Sequence, residues 1–116
     1  MNILFIVNDQ PYGTERMFNA LRMAGTLVRS EENQVTVFLM GDAVSGAKAG
    51  QKTPDGYYNV ERMLRRVVNG KGTVLLCGTC LDARGLTDDE VLAGTVRSTM
   101  EELCEVTVKA DKVLVF

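Results

Sequence analysis

The chain has 116 residues, a length that predicts a single domain over 1–116, and its 46% hydrophobic and 24% charged residues are typical of a soluble globular protein. The 13 Lys and Arg are balanced by 15 Asp and Glu, so the net charge of −2 excludes the positive field that holds nucleic acid or an anionic membrane. The absence of histidine excludes Ser-His-Asp and Cys-His catalytic pairs. The longest apolar run, Ile3 to Val7, is far shorter than the roughly 20 residues that cross a bilayer. We therefore expect a cytoplasmic protein without a membrane segment.

The first third of the chain predicts a strand, a helix and a second strand. Asn2 to Val7 is almost continuously apolar, as in a strand covered on both faces. The loop from Asn8 to Gly13 ends at Thr14, which we expect to cap a helix. The helix has apolar residues at the i, i+3, i+4 and i+7 positions of one face, namely Met17, Ala20, Leu21, Ala24, Leu27 and Val28. Gln34 to Met40 is predicted as the second strand.

The middle of the chain predicts a long loop, a second helix and a third strand. Gly41 to Tyr58 contains four Gly and no sustained periodicity, so we expect a functional or mobile loop. Asn59 is positioned to cap a helix that ends at Asn69-Gly70. Its apolar face consists of Val60, Met63, Leu64, Val67 and Val68. Thr73 to Leu76 predicts the third strand, which ends at Cys77.

The last third predicts a short capped turn, a helix and a final strand. Thr87 and Glu90 have the spacing of a capping box, and Gly94 breaks the helical turn that this box opens. An apolar helical stripe is then predicted from Val96, Met100, Leu103, Cys104 and Thr107. This places Cys104 in the core, where a free cysteine often serves only packing. Lys112 to Phe116 is the last predicted strand.

The alternation of strands and helices predicts an α/β protein with three layers. We expect a small, mostly parallel sheet of about four to five strands, with helices on both faces. Right-handed crossovers favour the flavodoxin-like strand order 2-1-3-4. The edge strands of so small a sheet would be apolar and unpaired, which predicts self-association.

This topology predicts where a ligand binds. Ligands of open parallel sheets bind beyond the carboxyl ends of the strands, where the winding direction reverses, and for the order 2-1-3-4 this crevice lies between strands one and three. The segments Asn8 to Thr14 and Cys77 to Leu86 line it, and Gly41 to Pro54 is near enough to cover it. Cys77 and Cys80, the pair in Cys77-Gly78-Thr79-Cys80, thus lie at the predicted site.

A Cys-x-x-Cys pair has several chemical interpretations. A metal site needs about four ligands, and with two clustered cysteines and no histidine we expect neither a metal nor another cofactor. A thioredoxin-like dithiol needs a helix that starts at the motif, whereas Asp82 and Gly85 interrupt this segment. A nucleophilic thiolate that accepts a sulfane sulfur would be favoured by loop amides and Arg84 and opposed by Asp82. Structural packing of two small residues is the fourth interpretation.

Several collinear motifs resemble the DsrE/DsrF-like sulfur-relay superfamily, most closely its YchN-like branch, over the full length. They are Pro11-Tyr12-Gly13-Thr14, Phe38-Leu39-Met40-Gly41-Asp42-Ala43-Val44, Gly50-Gln51-Lys52, Gly56-Tyr57-Tyr58-Asn59-Val60, Cys77-x-x-Cys80-x-x-x-Arg84-Gly85 and Ala110-Asp111-Lys112-Val113-Leu114-Val115-Phe116. In the sulfur-relay members one cysteine lies seven residues before an Arg-Gly pair, and Cys77 has that position. The YchN-like branch carries the second cysteine, Cys80.

The resemblance implies a homo-oligomer, often a trimer or hexamer, with the cysteines facing a shared cavity and exchanging sulfur with donor and acceptor proteins. We therefore expect Cys77 to carry a persulfide as a sulfurtransferase-like residue and Cys80 to resolve or protect it. Residues expected to bind at the site are Arg84, Gly78, Thr79, Tyr12 and Gly13. Two alternatives remain: a non-catalytic structural or regulatory subunit, and a CxxC dithiol redox protein.

Overall fold

Five strands and four helices alternate along the chain, and the computed structural model describes all 116 residues. The strands are β1 Asn2–Val7, β2 Gln34–Leu39, β3 Thr73–Cys77, β4 Thr95–Ser98 and β5 Lys112–Val115. The helices are α1 Arg16–Leu27, α2 Val60–Asn69, α3 Gly78–Ala83 and α4 Met100–Lys109. All strand pairs are parallel, which confirms the predicted α/β class and parallel sheet. No helix has both the length and the apolar composition needed to cross a membrane.

The central strands and α2 form as their sequences predict. Leu4, Phe5 and Val7 of β1 have no exposed surface, because the strand is covered on both faces. The side chain of Asn59 accepts a hydrogen bond from the backbone N–H of Arg62, as an N-cap residue does. The capping box between Thr87 and Glu90 is also present and opens a short 3-10 turn. These two predicted caps are therefore confirmed.

The strand order is β4-β3-β2-β1-β5, so the predicted order 2-1-3-4 is wrong. Each of the first three crossovers moves the chain one strand further in the same direction, and α1 packs beside α2 on one face of the sheet. The direction reverses only after β4, when the chain returns to pair β5 with β1. A right-handed crossover in that direction places α4 on the other face. The right-handed crossover rule alone does not determine whether β3 pairs with β1, as predicted, or with β2, as observed.

Three local elements differ from the sequence-based expectations. Val96, predicted in a helix, lies in the edge strand β4, and α4 begins only after the N-cap Thr99. The predicted loop from Gly41 begins with a 3-10 helix over Gly41–Ala47. Thr14 is not the cap of α1, where Glu15 is the N-cap residue, and the buried Thr14 hydroxyl has no partner. The sequence analysis assigned part of β4 to a helix, because a strand of four residues is too short to show a clear alternating pattern.

Cys104 lies on the surface rather than in the core. Leu103 is the only residue of α4 that is buried, so the other side chains of this helix stay partly or fully exposed. Five of the eight large hydrophobic residues that stay exposed lie in the same C-terminal part of the chain: Val96, Met100, Val108, Val113 and Val115. We call these five residues, which are distributed over α4 and the two edge strands β4 and β5, the C-terminal apolar surface. The prediction of a buried Cys104 assumed that the whole helical stripe is covered, and it is not.

Tyr12 anchors the segment between the 3-10 helix and α2. Its hydroxyl donates to the side chain of Gln51 and accepts from the backbone N–H of Val60. Its ring stacks on Tyr58, which also stacks on Phe18. The Gln51 side chain in turn donates to the carbonyls of Gly46 and Lys48. The long segment between Gly41 and Tyr58 is therefore held by a hydrogen-bond network centred on Tyr12 and Gln51.

We expect Tyr12→Phe to lower the free energy of unfolding by about 1–3 kcal/mol, because the Val60 N–H and the Gln51 side chain lose a partly buried partner. Urea denaturation measures the change. Tyr57→Phe is the matched control: Tyr57 is 73% exposed, so the same substitution there should change stability by less than about 0.5 kcal/mol. Equal effects of the two variants would contradict the anchoring role of Tyr12.

Candidate functional site

The candidate site lies at the carboxyl ends of β3 and β4. The connections after these neighbouring strands leave toward opposite faces of the sheet, because the winding direction reverses after β4. The predicted crevice between strands one and three does not form, since β2 lies between them. A cavity of 380 Å³ opens instead between the starts of α3 and α4. It is lined by Phe38, Cys77, Gly78, Thr79, Asp82, Arg97, Ser98, Thr99, Met100 and Glu101.

Cys77 is the last residue of β3 and the N-cap residue of α3. Its sulfur accepts a hydrogen bond from the backbone N–H of Cys80 at 3.4 Å and lies 3.3 Å from the Thr79 hydroxyl. Burial raises the pKa of the Cys77 thiol, but the hydrogen bonds from Cys80 and Thr79 outweigh it and leave the pKa below the ordinary value. A thiol that ionises more readily is a better nucleophile at neutral pH.

Cys80 has the opposite character. Burial and the neighbouring Cys77 raise the pKa of its thiol, although a hydrogen bond from Gly41 and the charge of Arg84 act against them. The backbone N–H of Gly41 donates to the Cys80 sulfur at 3.1 Å. The two cysteines therefore divide into a thiol that is easily ionised and one that stays protonated.

A helix does begin at the cysteine pair, contrary to expectation. Asp82 does not interrupt the segment, since α3 runs from Gly78 to Ala83 and includes it. Gly85, with φ of 65°, lies just beyond the end of the helix. The structural context that a CxxC dithiol requires is thus present, in a helix of six residues.

Arg84 contacts Cys80 and not the sulfur of Cys77. Its guanidinium donates to the carbonyl of Cys80 at 3.0 Å and binds Asp42 at 2.7 Å. Its charge lowers the pKa of the Cys80 thiol, which makes it a neighbour of the second cysteine. Arg84 also ties α3 to the 3-10 helix through Asp42.

Arg97 is the cation beside Cys77, and the sequence pattern did not single it out. It lies on β4, where it donates to the carbonyl of Gly78 at 3.1 Å and binds Asp82 at 2.6 Å. A Cβ at Gly78 would lie 3.0 Å from the guanidinium, so a glycine permits this close approach. Arg97 thereby compensates the Asp82 carboxylate that was expected to oppose the thiolate. Arg97 could have been identified from the sequence only if β4 had been predicted as the strand next to β3.

The remaining predicted site residues divide into two groups. Gly78 and Thr79 line the cavity together with Cys77. Tyr12 and Gly13 are not among its lining residues, and the Tyr12 hydroxyl is occupied by Gln51 and Val60. No group of three or more Cys, Asp or Glu side chains is arranged to hold a metal ion.

Alkylation of Cys77 should have its pH midpoint below that of an ordinary thiol, because its pKa is lowered and the thiolate persists to lower pH. Cys80→Ala should move this midpoint upward, since the Cys80 side chain no longer donates to the Cys77 sulfur. Rates of iodoacetamide modification over a pH series, resolved by peptide mass spectrometry, measure both.

Cys104 provides the reference in the same chain, because it is exposed. It should react in the native protein at the same rate in the wild type and in Cys80→Ala. A Cys77 midpoint at or above that of an ordinary cysteine thiol in a model peptide would contradict the assignment of Cys77 as the activated thiol.

Comparison with known proteins assigns this chain to a family. A sequence model of the DsrE/DsrF-like family matches residues 1–116. Protein YchN of Escherichia coli strain K12 is 41% identical over 115 residues, which cover 98% of this chain and 97% of that protein. An uncharacterized protein of Methanocaldococcus jannaschii is 33% identical over the full length of both chains.

Solved structures agree with this result. The crystal structure of the E. coli YchN protein superposes with a TM-score of 0.93 at 40% identity and covers 99% of this chain and 98% of that one. A protein of unknown function from Methanobacterium thermoautotrophicum shares the fold, with a TM-score of 0.78 at 11% identity over 99% of this chain and 98% of its own. On the full-length family match and the identity to YchN, the chain belongs to the DsrE/DsrF-like family.

Proposed function

We propose that this chain is a sulfur-relay protein in which Cys77 accepts a sulfane sulfur as a persulfide and passes it on. The observation that carries the proposal is the Cys77 thiol itself, which has a lowered pKa and opens into a cavity at the carboxyl edge of the sheet. Membership of the DsrE/DsrF-like family supports a relay role. We place this activity in the reducing cytoplasm, where the three free cysteines would stay reduced.

The transfer consists of two displacements at sulfur. The Cys77 thiolate attacks the outer sulfur of a donor persulfide, a new S–S bond forms, and the donor leaves as its thiolate. An acceptor thiolate then attacks the outer sulfur on Cys77, and the Cys77 thiolate leaves. A low pKa assists both steps, because Cys77 is ionised when it attacks and is a good leaving group when it departs. Neither step changes the net oxidation state of the pair of proteins.

The working form is proposed to be a homo-oligomer, a trimer or hexamer, that exchanges sulfur with donor and acceptor proteins and binds no nucleic acid. The C-terminal apolar surface supports self-association, since Val108 and Val115 are 86% and 64% exposed. The outer edges of β4 and β5 also have no partner strand. The net charge of −2 argues against a nucleic-acid partner.

Incubation with a cysteine desulfurase and free cysteine should add about 32 Da to Cys77, the mass of one sulfur atom in a persulfide. Peptide mass spectrometry after blocking of free thiols locates the added sulfur. Cys77→Ser should not be loaded, whereas Cys104→Ser, the same substitution at an exposed cysteine, should be loaded like the wild type. Unmodified Cys77 after this treatment would favour a non-catalytic subunit.

Val115→Glu should shift the protein toward smaller species, because a charge on the C-terminal apolar surface would be buried without a partner on association. Analytical ultracentrifugation measures the distribution. Met23→Glu is the control, since Met23 is 45% exposed on α1, outside that surface. A wild-type protein that sediments as a 12.7 kDa monomer would contradict the oligomer.

A dithiol redox protein is the second candidate function. The observation in its favour is that α3 begins directly after Cys77, with Cys80 in its first turn. Such a protein would reduce the disulfides of insulin with dithiothreitol as the electron source, and this activity would require both Cys77 and Cys80. Turnover of insulin without persulfide loading would favour this candidate over the relay.

A further inference from the structure

The two sulfur atoms of the cysteine pair face different surroundings. The Cys77 side chain lines the 380 Å³ cavity, whereas Cys80 is not among the lining residues. The Cys80 sulfur lies instead beside the backbone N–H of Gly41, at the start of the 3-10 helix. The outer sulfur of a persulfide on Cys77 would therefore have room in the open cavity, whereas the Cys80 side chain is not part of its lining.

Cys80 is also within reach of that inner sulfur. Its own backbone N–H already donates to the Cys77 sulfur at 3.4 Å. Residues three apart on a helical turn have Cβ atoms about 5–6 Å apart, so a side-chain rotation and a small backbone shift reach the roughly 4 Å of a disulfide. The Cys80 side chain already donates to the Cys77 sulfur, so this approach needs no movement of the sheet.

We propose that Cys80 gives the Cys77 persulfide a second exit, in which the sulfur is released as hydrosulfide and an internal Cys77–Cys80 disulfide remains. The inference rests on the proposed function for the loading of Cys77. It assigns a further activity to the pair, the reduction of sulfane sulfur to sulfide, beside transfer to an acceptor.

The step balances without an added reductant. Cys80 loses its proton to solvent, its thiolate attacks the Cys77 Sγ, and the bond between Sγ and the outer sulfur breaks, with its electron pair leaving on the outer sulfur as HS⁻. The sulfane sulfur gains two electrons, one from each cysteine sulfur. Displacement at sulfur requires the outer sulfur to leave on the side away from Cys80, and the cavity beside Cys77 offers space for it. A dithiol reductant is required only to reopen the disulfide for a second turnover.

The surroundings of Cys80 also explain how a persulfide would survive long enough to be transferred. Burial and Cys77 keep most of the Cys80 thiol protonated at neutral pH, although the charge of Arg84, itself paired with Asp42, partly opposes this. The Cys80 sulfur also keeps its hydrogen bond from the backbone N–H of Gly41. Discharge therefore competes with transfer rather than preceding it.

The experiment is a single turnover in the Cys104→Ser background, which removes the exposed thiol that could form bonds between chains. The protein is loaded with a cysteine desulfurase and free cysteine, separated from both, and incubated anaerobically without reductant. Sulfide is trapped with monobromobimane, and the intact mass is measured in parallel. The added 32 Da, approximately, should be lost with one sulfide per loaded chain, and the product should be about 2 Da lighter than the reduced protein.

Cys80→Ser in the same background should keep its persulfide and release sulfide at least tenfold more slowly. Its loading at Cys77 shows that the variant is folded and its nucleophile intact, and Cys80→Ala repeats the test without a hydroxyl. Equal sulfide release with and without Cys80, or a stable persulfide beside a reduced Cys80 in the parent, would overturn this inference and leave the relay standing. Failure of all variants to load Cys77 would overturn the relay and this inference together.

Discussion

Every strand of the sheet runs in the same direction, and the position of the site depends on this constraint. Parallel pairing gathers the carboxyl ends of all five strands at one edge, where the chain must leave for a crossover. The crossovers after β3 and β4 leave toward opposite faces, so a cavity remains between the starts of α3 and α4. Cys77 ends β3 at this place. The same constraint brings Arg97, the residue opposite Leu76 on β4, within hydrogen-bond distance of the turn after Cys77.

Two cysteines of the same motif acquire different chemistry from their neighbours. Cys77 receives hydrogen bonds on its sulfur from the turn that it caps, which favours the charged form. Cys80 is close to that developing charge, which disfavours a second one. The difference therefore arises mainly within one helical turn, and Gly41 and Arg84 act on the pKa of Cys80 from outside that turn. The same helical turn thus provides a readily ionised thiol at Cys77 and a thiol at Cys80 that ionises less readily.

Local pattern predicted two helix caps correctly, although Glu15 rather than Thr14 is the N-cap residue of α1. The cap at Asn59 and the capping box at Thr87 are formed by residues within a few positions, and both are present. Long-range pairing was not predictable in the same way. Val96 fits a helical stripe by spacing, but pairing with Leu75 places it in β4. The missed strand also concealed Arg97, and the assumption of a fully covered helix misplaced Cys104 on the inside.

The sequence by itself determined the α/β class, the parallel sheet and the placement of the cysteine pair at a strand end, because hydrophobic periodicity and turn residues act over short distances. Only the tertiary structure decided the strand order, the cavity beside Cys77 and the cation that contacts its turn. These depend on which side of a strand the next one pairs, and residues far apart in the chain settle that choice by packing together. The lowered pKa of Cys77 and the raised pKa of Cys80 depend on both sequence and tertiary structure. The sequence motif supplies the two thiols, and the packing around them shifts their pKa values in opposite directions.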